Sequence, residues 1–94
     1  MNQPKSTSER TYPELVDAFN EAVMSIPESE LDESALGEKI LSFMERHRGD
    51  MQHAMVVGIR DADEAALLLN DNHRKMAAMV TELEAEVAKR TREA

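Results

Sequence analysis

The segment RHRGDMQH, residues 46–53, holds the densest set of side chains in the sequence that could do chemistry. Two histidines, His47 and His53, flank an Arg-Gly-Asp tripeptide, and a third, His73, lies further along the chain. Together with Asp50 these imidazoles could form a metal site, because imidazole and carboxylate groups are common metal ligands. The tripeptide could instead be an adhesion motif. Both hypotheses depend on whether the segment is a helix or a loop.

The spacing of the histidines does not favour a metal site. Helical metal ligands are usually four residues apart, so that they share a face, whereas His47 and His53 are six apart. Adhesion would require a loop on a secreted protein, and the first residues, MNQPKSTSER, contain no apolar signal segment. We therefore expect His47 and His73 to be partly buried structural residues and predict no cofactor. A histidine-centred metal or ligand site is the alternative.

The composition excludes several classes of function. The 94 residues include 19 acidic and 11 basic side chains, a net charge of −8, and no cysteine. Negative charge repels nucleic-acid phosphates, and a chain without cysteine has no disulfide and no thiol nucleophile. No phosphate-binding loop or Ser/His/Asp arrangement can be assembled, and no apolar run is long enough to span a membrane. We expect a cytoplasmic, non-enzymatic protein that binds neither nucleic acid nor membranes.

The elements that position these residues are all predicted to be helices. The apolar side chains are mainly Ala, Leu, Val and seven Met, and there are only three glycines and three prolines. We expect a flexible tail over residues 1–10 and a single all-helical domain over residues 11–94. Its first helix, about 12–25, is indicated by a capping box formed by Thr11 and Glu14.

An acidic connector, residues 28–33, is predicted to follow the first helix. It contains Glu28, Glu30, Asp32 and Glu33, and its best N-cap candidates for the next helix are Ser29 and Asp32.

The second helix is predicted over about 33–57. Its apolar face is formed by Leu36, Ile40, Phe43, Met44 and His47. At Gly49 the chain could end one helix and start another, or continue with or without a kink. The regular spacing of Met51 and Met55 after His47 favours a continuous or kinked helix, and Gly58 is the better place for a break.

The strongest periodicity predicts a long helix over about 61–91. Its apolar positions alternate spacings of four and three for more than three heptads, which is typical of a coiled-coil seam; they are Ala62, Ala66, Leu69, His73, Met76, Val80, Leu83 and Val87. The oppositely charged pairs Asp71–Lys75 and Glu86–Arg90 are four residues apart and favour the helix further.

The long helix needs more apolar cover than the first helix can supply. At 1.5 Å per residue it spans about 45 Å, whereas 14 residues span about 20 Å. We therefore predict an all-α helical hairpin or bundle with a coiled-coil-like C-terminal helix, completed by homodimerisation. The predicted interface residues are Leu69, His73, Met76, Val80, Leu83 and Val87. The same seam could instead bind a different protein.

A second surface is predicted to contact another protein. Methionine is flexible, and Met-rich surfaces adapt to several partners, which makes Met44, Met51 and Met55 candidates. The acidic side chains Glu28, Glu30, Asp32 and Glu33 would attract a basic partner. We expect a small acidic interaction module, an adaptor, chaperone or regulator that acts as a homo-oligomer. Besides the histidine-centred site, an acidic inhibitor of the immunity-protein type is an alternative.

Overall fold

The computed structural model describes residues 9–32 and 34–93, which form four α-helices and no strand. The helices are α1 (Tyr12–Met24), α2 (Glu28–Leu31), α3 (Ala35–Arg60) and α4 (Ala62–Glu93). The all-α prediction is confirmed. Predictions that concern residues 1–8 or Glu33 lie outside the described residues.

The start of α1 is fixed by the predicted capping box. The Thr11 hydroxyl accepts a hydrogen bond from the N–H of Glu14 at 3.3 Å, and the Glu14 carboxylate accepts one from the N–H of Thr11 at 2.9 Å. These bonds satisfy two N–H groups that the first helical turn leaves without partners. Just before the helix, Arg10 donates to Glu84 at 3.0 Å. Arg10, expected in the flexible tail, is therefore held against α4.

The acidic connector contains a short helix, α2, where a non-helical segment is predicted. The N-cap of α3 is Ser34 rather than Ser29 or Asp32. Its hydroxyl accepts a hydrogen bond from the N–H of Gly37 at 2.9 Å and donates one to the carbonyl of Leu31 at 3.0 Å. Because one hydroxyl joins the end of α2 to the start of α3, the turn between them is tight.

The helix α3 runs without interruption through Gly49 and Gly58, so the segment RHRGDMQH is helical throughout. It ends at Arg60, three residues beyond the predicted end. A Cβ added at Gly49 would meet no atom within 4 Å, so packing does not require a glycine there. The alternative of two helices separated at Gly49 is excluded.

A single residue, Asp61, separates α3 from α4. Its carboxylate accepts hydrogen bonds at 3.1 Å from the N–H groups of Asp63 and Glu64, and in this way it caps the start of α4. Along α4 the two predicted charged pairs are present, with closest distances of 3.1 Å for Asp71–Lys75 and 2.7 Å for Glu86–Arg90.

The described residues divide into two compact units. Unit 1 comprises residues 9–27 and 76–93, so that α1 packs on the second half of α4. Its buried apolar side chains are Leu15, Phe19, Ala22, Ile26, Met76, Ala77, Met79, Val80 and Leu83. Leu15, Val80 and Leu83 have no exposed surface at all and form the centre of this core.

Unit 2 comprises residues 28–75, in which α3 and the first half of α4 form an antiparallel hairpin. The antiparallel direction follows from three contacts between the helices, in which the residue number decreases along α3 while it increases along α4. The contacts are Gly58–Ala65, Met51–Asn72 and Asp50–Lys75. The other buried side chains of this unit are small or aliphatic, namely Ile40, Ala54 and Val57. None of the described helices combines the length and the apolarity needed to cross a bilayer.

Candidate functional site

The histidines of the opening segment lie on different sides of α3. His47 is partly buried and stacks on the ring of Phe43, with centroids 5.4 Å apart and planes at 15°. His53 is exposed, and six residues on a continuous helix turn it about 120° away from His47. His73 is partly buried on α4. Within residues 9–32 and 34–93, no three His, Asp or Glu side chains are grouped so that they could hold a metal ion.

Burial lowers the pKa of His47 below its ordinary value, and the nearby Asp50 carboxylate opposes this shift. Asp50 itself lies 3.8 Å from the ammonium of Lys75 across the hairpin. The Arg-Gly-Asp tripeptide therefore lies on a helix, with its aspartate part of a charge cluster. Lys75 also contacts Asp71, and its hydrogen bond is the largest cause of a lowered pKa at the Asp71 carboxyl. These groups belong to the pairing of α3 with α4.

The six predicted interface residues of α4 differ in exposure. Met76, Val80 and Leu83 are at most 5% exposed, because they belong to the core of unit 1. Leu69, in unit 2, is 45% exposed, while His73 and Val87 are partly buried. Only these last three side chains offer surface to a second molecule.

The predicted partner face is more open. Met44 and Met55 are 50% and 70% exposed, whereas Met51 is partly buried and accepts a hydrogen bond from Asn72. The described acidic residues of the connector, Glu28, Glu30 and Asp32, are all exposed.

Within the described part of the chain, α3 carries a row of exposed apolar side chains. We name this row the α3 stripe; it consists of Leu41, Met44, Met55 and Ile59, which are 62%, 50%, 70% and 87% exposed. Leu41 and Ile59 are 18 residues apart, which is five full turns, and Met44 and Met55 are close to three turns apart. All four therefore share one face, with Arg48 and Gln52 between them.

Met44 and Met55 are among the residues predicted from the sequence to contact another protein, whereas Leu41 and Ile59 are not. The sequence does contain a signal for Leu41, because this residue lies beside the predicted apolar face of Leu36 and Ile40 rather than on it. A typical surface helix has a single apolar face about 100° wide, so an apolar residue outside that face indicates a second contact.

Unit 1 contains a shallow groove of about 340 Å³ between α1 and α4. Most of its lining is small or acidic, and the residues are Ala18, Glu21, Ala22, Ser25, Glu84, Val87 and Ala88. Glu84 is already paired with Arg10. The groove therefore has no large apolar side chain other than Val87 to hold a partner, and the α3 stripe is the better candidate for an interaction site.

Comparisons of the chain with protein-family models, with curated proteins and with solved structures found no match.

Proposed function

We propose that the protein is a small, non-enzymatic interaction module that self-associates through the α3 stripe of unit 2. The observation that carries this proposal is the distribution of large exposed apolar side chains. The described residues include eight such side chains. Seven of them belong to unit 2, and the exception is Met24; the seven are Leu41, Met44, Met55, Val56, Ile59, Leu67 and Leu69.

The free energy available from covering this surface is substantial. Full burial of one Leu, Ile or Met side chain contributes about 1.5–3 kcal/mol. The four side chains of the α3 stripe are half or more exposed in the single chain, so most of that free energy is still available to a partner. The stripe consists of two exposed apolar pairs, Leu41 with Met44 and Met55 with Ile59, and exposed apolar patches with a polar surround are typical of protein–protein contact sites.

The methionines support a protein partner rather than a small ligand. Met44 and Met55 have long, unbranched side chains that adjust to the shape of an opposing helix. The stripe lies along the outside of one helix and has no enclosing wall, whereas sites for small molecules are concave and surround the ligand.

The test compares two leucines that differ in position but not in type. Leu41 and Leu67 are 62% and 69% exposed, and each lies in the second turn of a long helix. Leu41 belongs to the α3 stripe. Leu67 is two residues, about 200° of helical rotation, from the contact residue Ala65 and so faces away from α3. Leu41→Asp therefore introduces a charge inside the proposed interface, and Leu67→Asp introduces the same charge outside it.

Sedimentation equilibrium over low-micromolar to near-millimolar concentrations measures the outcome, with circular dichroism on the same samples. We expect the native protein and Leu67→Asp to associate, and Leu41→Asp to remain monomeric with unchanged helicity. A native protein that is monomeric at every concentration contradicts the proposal. Equal association of the two variants contradicts the location of the interface.

A further inference from the structure

The residues of the α3 stripe, together with Arg48 and Gln52 between them, follow nearly the same order of residue types from both ends. From the N-terminal end, an apolar residue is followed by a methionine three residues later and by a polar residue seven residues later. From the C-terminal end, the same three residue types occur at distances of zero, four and seven residues. The six positions are Leu41, Met44, Arg48, Gln52, Met55 and Ile59. The centre of this near-palindrome lies at residue 50, and α3 is continuous there.

A surface of this kind fits a second copy of itself. In a two-fold symmetric interface, residue i of one copy contacts residue j of the other and residue j contacts residue i. We propose that two copies of α3 pair antiparallel about a two-fold axis near residue 50, which rests on the proposed self-association. Leu41 then packs on Ile59 of the second copy, and Met44 packs on Met55.

Arg48 and Gln52, which lie between the two halves of the stripe, favour the antiparallel direction. In this arrangement Arg48 of each copy faces Gln52 of the other, so the guanidinium donates to the side-chain amide oxygen, twice over by symmetry. In a parallel pair the two Arg48 side chains would face each other and repel. A polar residue within an apolar seam is a common means of fixing register and direction.

The charge of α3 also permits two copies to approach. The whole chain carries a net charge of −8, but α3 has four basic and three acidic side chains. Pairing along α3 therefore brings together the part of the chain without an acidic surplus. The stripe is about 27 Å long, so the interface falls in the small size class, below about 1,200 Å², and the dimer should dissociate readily on dilution.

The chain contains no cysteine, so single introduced cysteines can report the register. Met44→Cys and Met55→Cys each replace an exposed side chain of the stripe. Antiparallel pairing about residue 50 brings position 44 of one copy beside position 55 of the other. In the same arrangement, position 44 lies about 15 Å or more from position 44 of the second copy, and position 55 is equally far from position 55.

We expect oxidation of an equimolar mixture to give a disulfide-linked heterodimer of the two variants, identified by mass spectrometry, and each variant alone to stay unlinked. Self-linkage of either variant in a sedimenting dimer would overturn the antiparallel register but leave self-association intact. A dimer without any linkage would place the interface outside the stripe. A monomer at every concentration would remove both this inference and the proposed function.

Discussion

The side-chain amide of Asn72 donates a hydrogen bond to the sulfur of Met51, at 3.4 Å, between α4 and α3 in unit 2. Asn72 is 4% exposed, the only polar side chain in the buried part of the described residues. Thioether sulfur is a weak acceptor, so a buried amide depends on a partner that binds it weakly. This contact joins the two helices about three helical turns from Asp61 and suggests a direct test of what holds them in register.

Met51→Leu should destabilise the protein, because it keeps the apolar volume but removes the acceptor of a buried donor. We expect a loss of about 1 kcal/mol in the free energy of unfolding, at the lower end of the range for an unpaired buried group. Asn72→Leu should be neutral or stabilising. It removes the buried amide donor itself, so no polar group is left without a hydrogen bond. Urea denaturation measures both.

The double variant Met51→Leu/Asn72→Leu is the control for this pair. It should recover most of the stability lost in Met51→Leu, which gives a clear interaction energy in a double-mutant cycle. If the effects of the two single substitutions simply add, the amide–sulfur contact has no energetic role.

Two glycines of α3 should respond in opposite ways to replacement by alanine. A Cβ at Gly37 would overlap the carbonyl oxygen of Leu31, whereas a Cβ at Gly49 would meet nothing. Gly37→Ala should therefore cost about 1–3 kcal/mol by overpacking. Gly49→Ala should stabilise the protein by about 0.8–1 kcal/mol, the difference in helix propensity. Thermal unfolding followed by circular dichroism compares the two, and a destabilised Gly49→Ala would contradict an uninterrupted α3.

His47 should titrate below its ordinary pKa of 6.5 in the folded protein, because burial disfavours the imidazolium. Its contribution to stability is then present above pH 6.5 and is lost as the pH falls through the folded-state pKa. The measurement is an NMR titration of the His47 ring proton in folded protein and in urea. Since Asp50 opposes the shift, Asp50→Asn should lower the pKa further. A folded-state pKa at or above the value in urea would refute the assignment.

Gln52 should control the strength of the proposed dimer without altering the monomer fold. Gln52→Glu places a carboxylate opposite Arg48 of the second copy, and Gln52→Arg places a like charge there. We expect the dimer Kd to fall about threefold in the first variant and to rise about threefold in the second, as for exposed ion pairs. Sedimentation equilibrium measures both values, at low salt to limit screening. Identical constants would show that these side chains do not meet.

The ends of α1 and α4 could be predicted to within about two residues because their signals are local. Thr11 with Glu14, and Asp61 with Glu64, bring a cap acceptor and an acid into the first turn, and both caps form. The start of α3 was harder to predict, since Ser29, Asp32 and Ser34 are all suitable caps. Ser34 is the one that is used, and its hydroxyl also donates a hydrogen bond to Leu31 at the end of α2.

Longer-range features could not be predicted in this way. The ion pair of Arg10 with Glu84 joins residues 74 positions apart, and no local pattern signals it. The spacing of apolar residues predicts the apolar face of α4. It does not predict which segment of the chain packs against each part of that face. Met76, Val80 and Leu83 are buried within the chain, whereas Leu69 on the same seam is half exposed.

The single-residue turn at Asp61 has a consequence for the order in which the chain assembles during synthesis. It closes a hairpin whose two arms are adjacent in sequence, so unit 2 can form with little loss of loop entropy as soon as residue 75 is available. Unit 1 joins residues 9–27 to residues 76–93, so α1 must wait for residues 76–93 to emerge. Throughout that interval Leu15 and Phe19 have no core to enter, so α1 is the segment of the growing chain whose apolar side chains stay exposed longest.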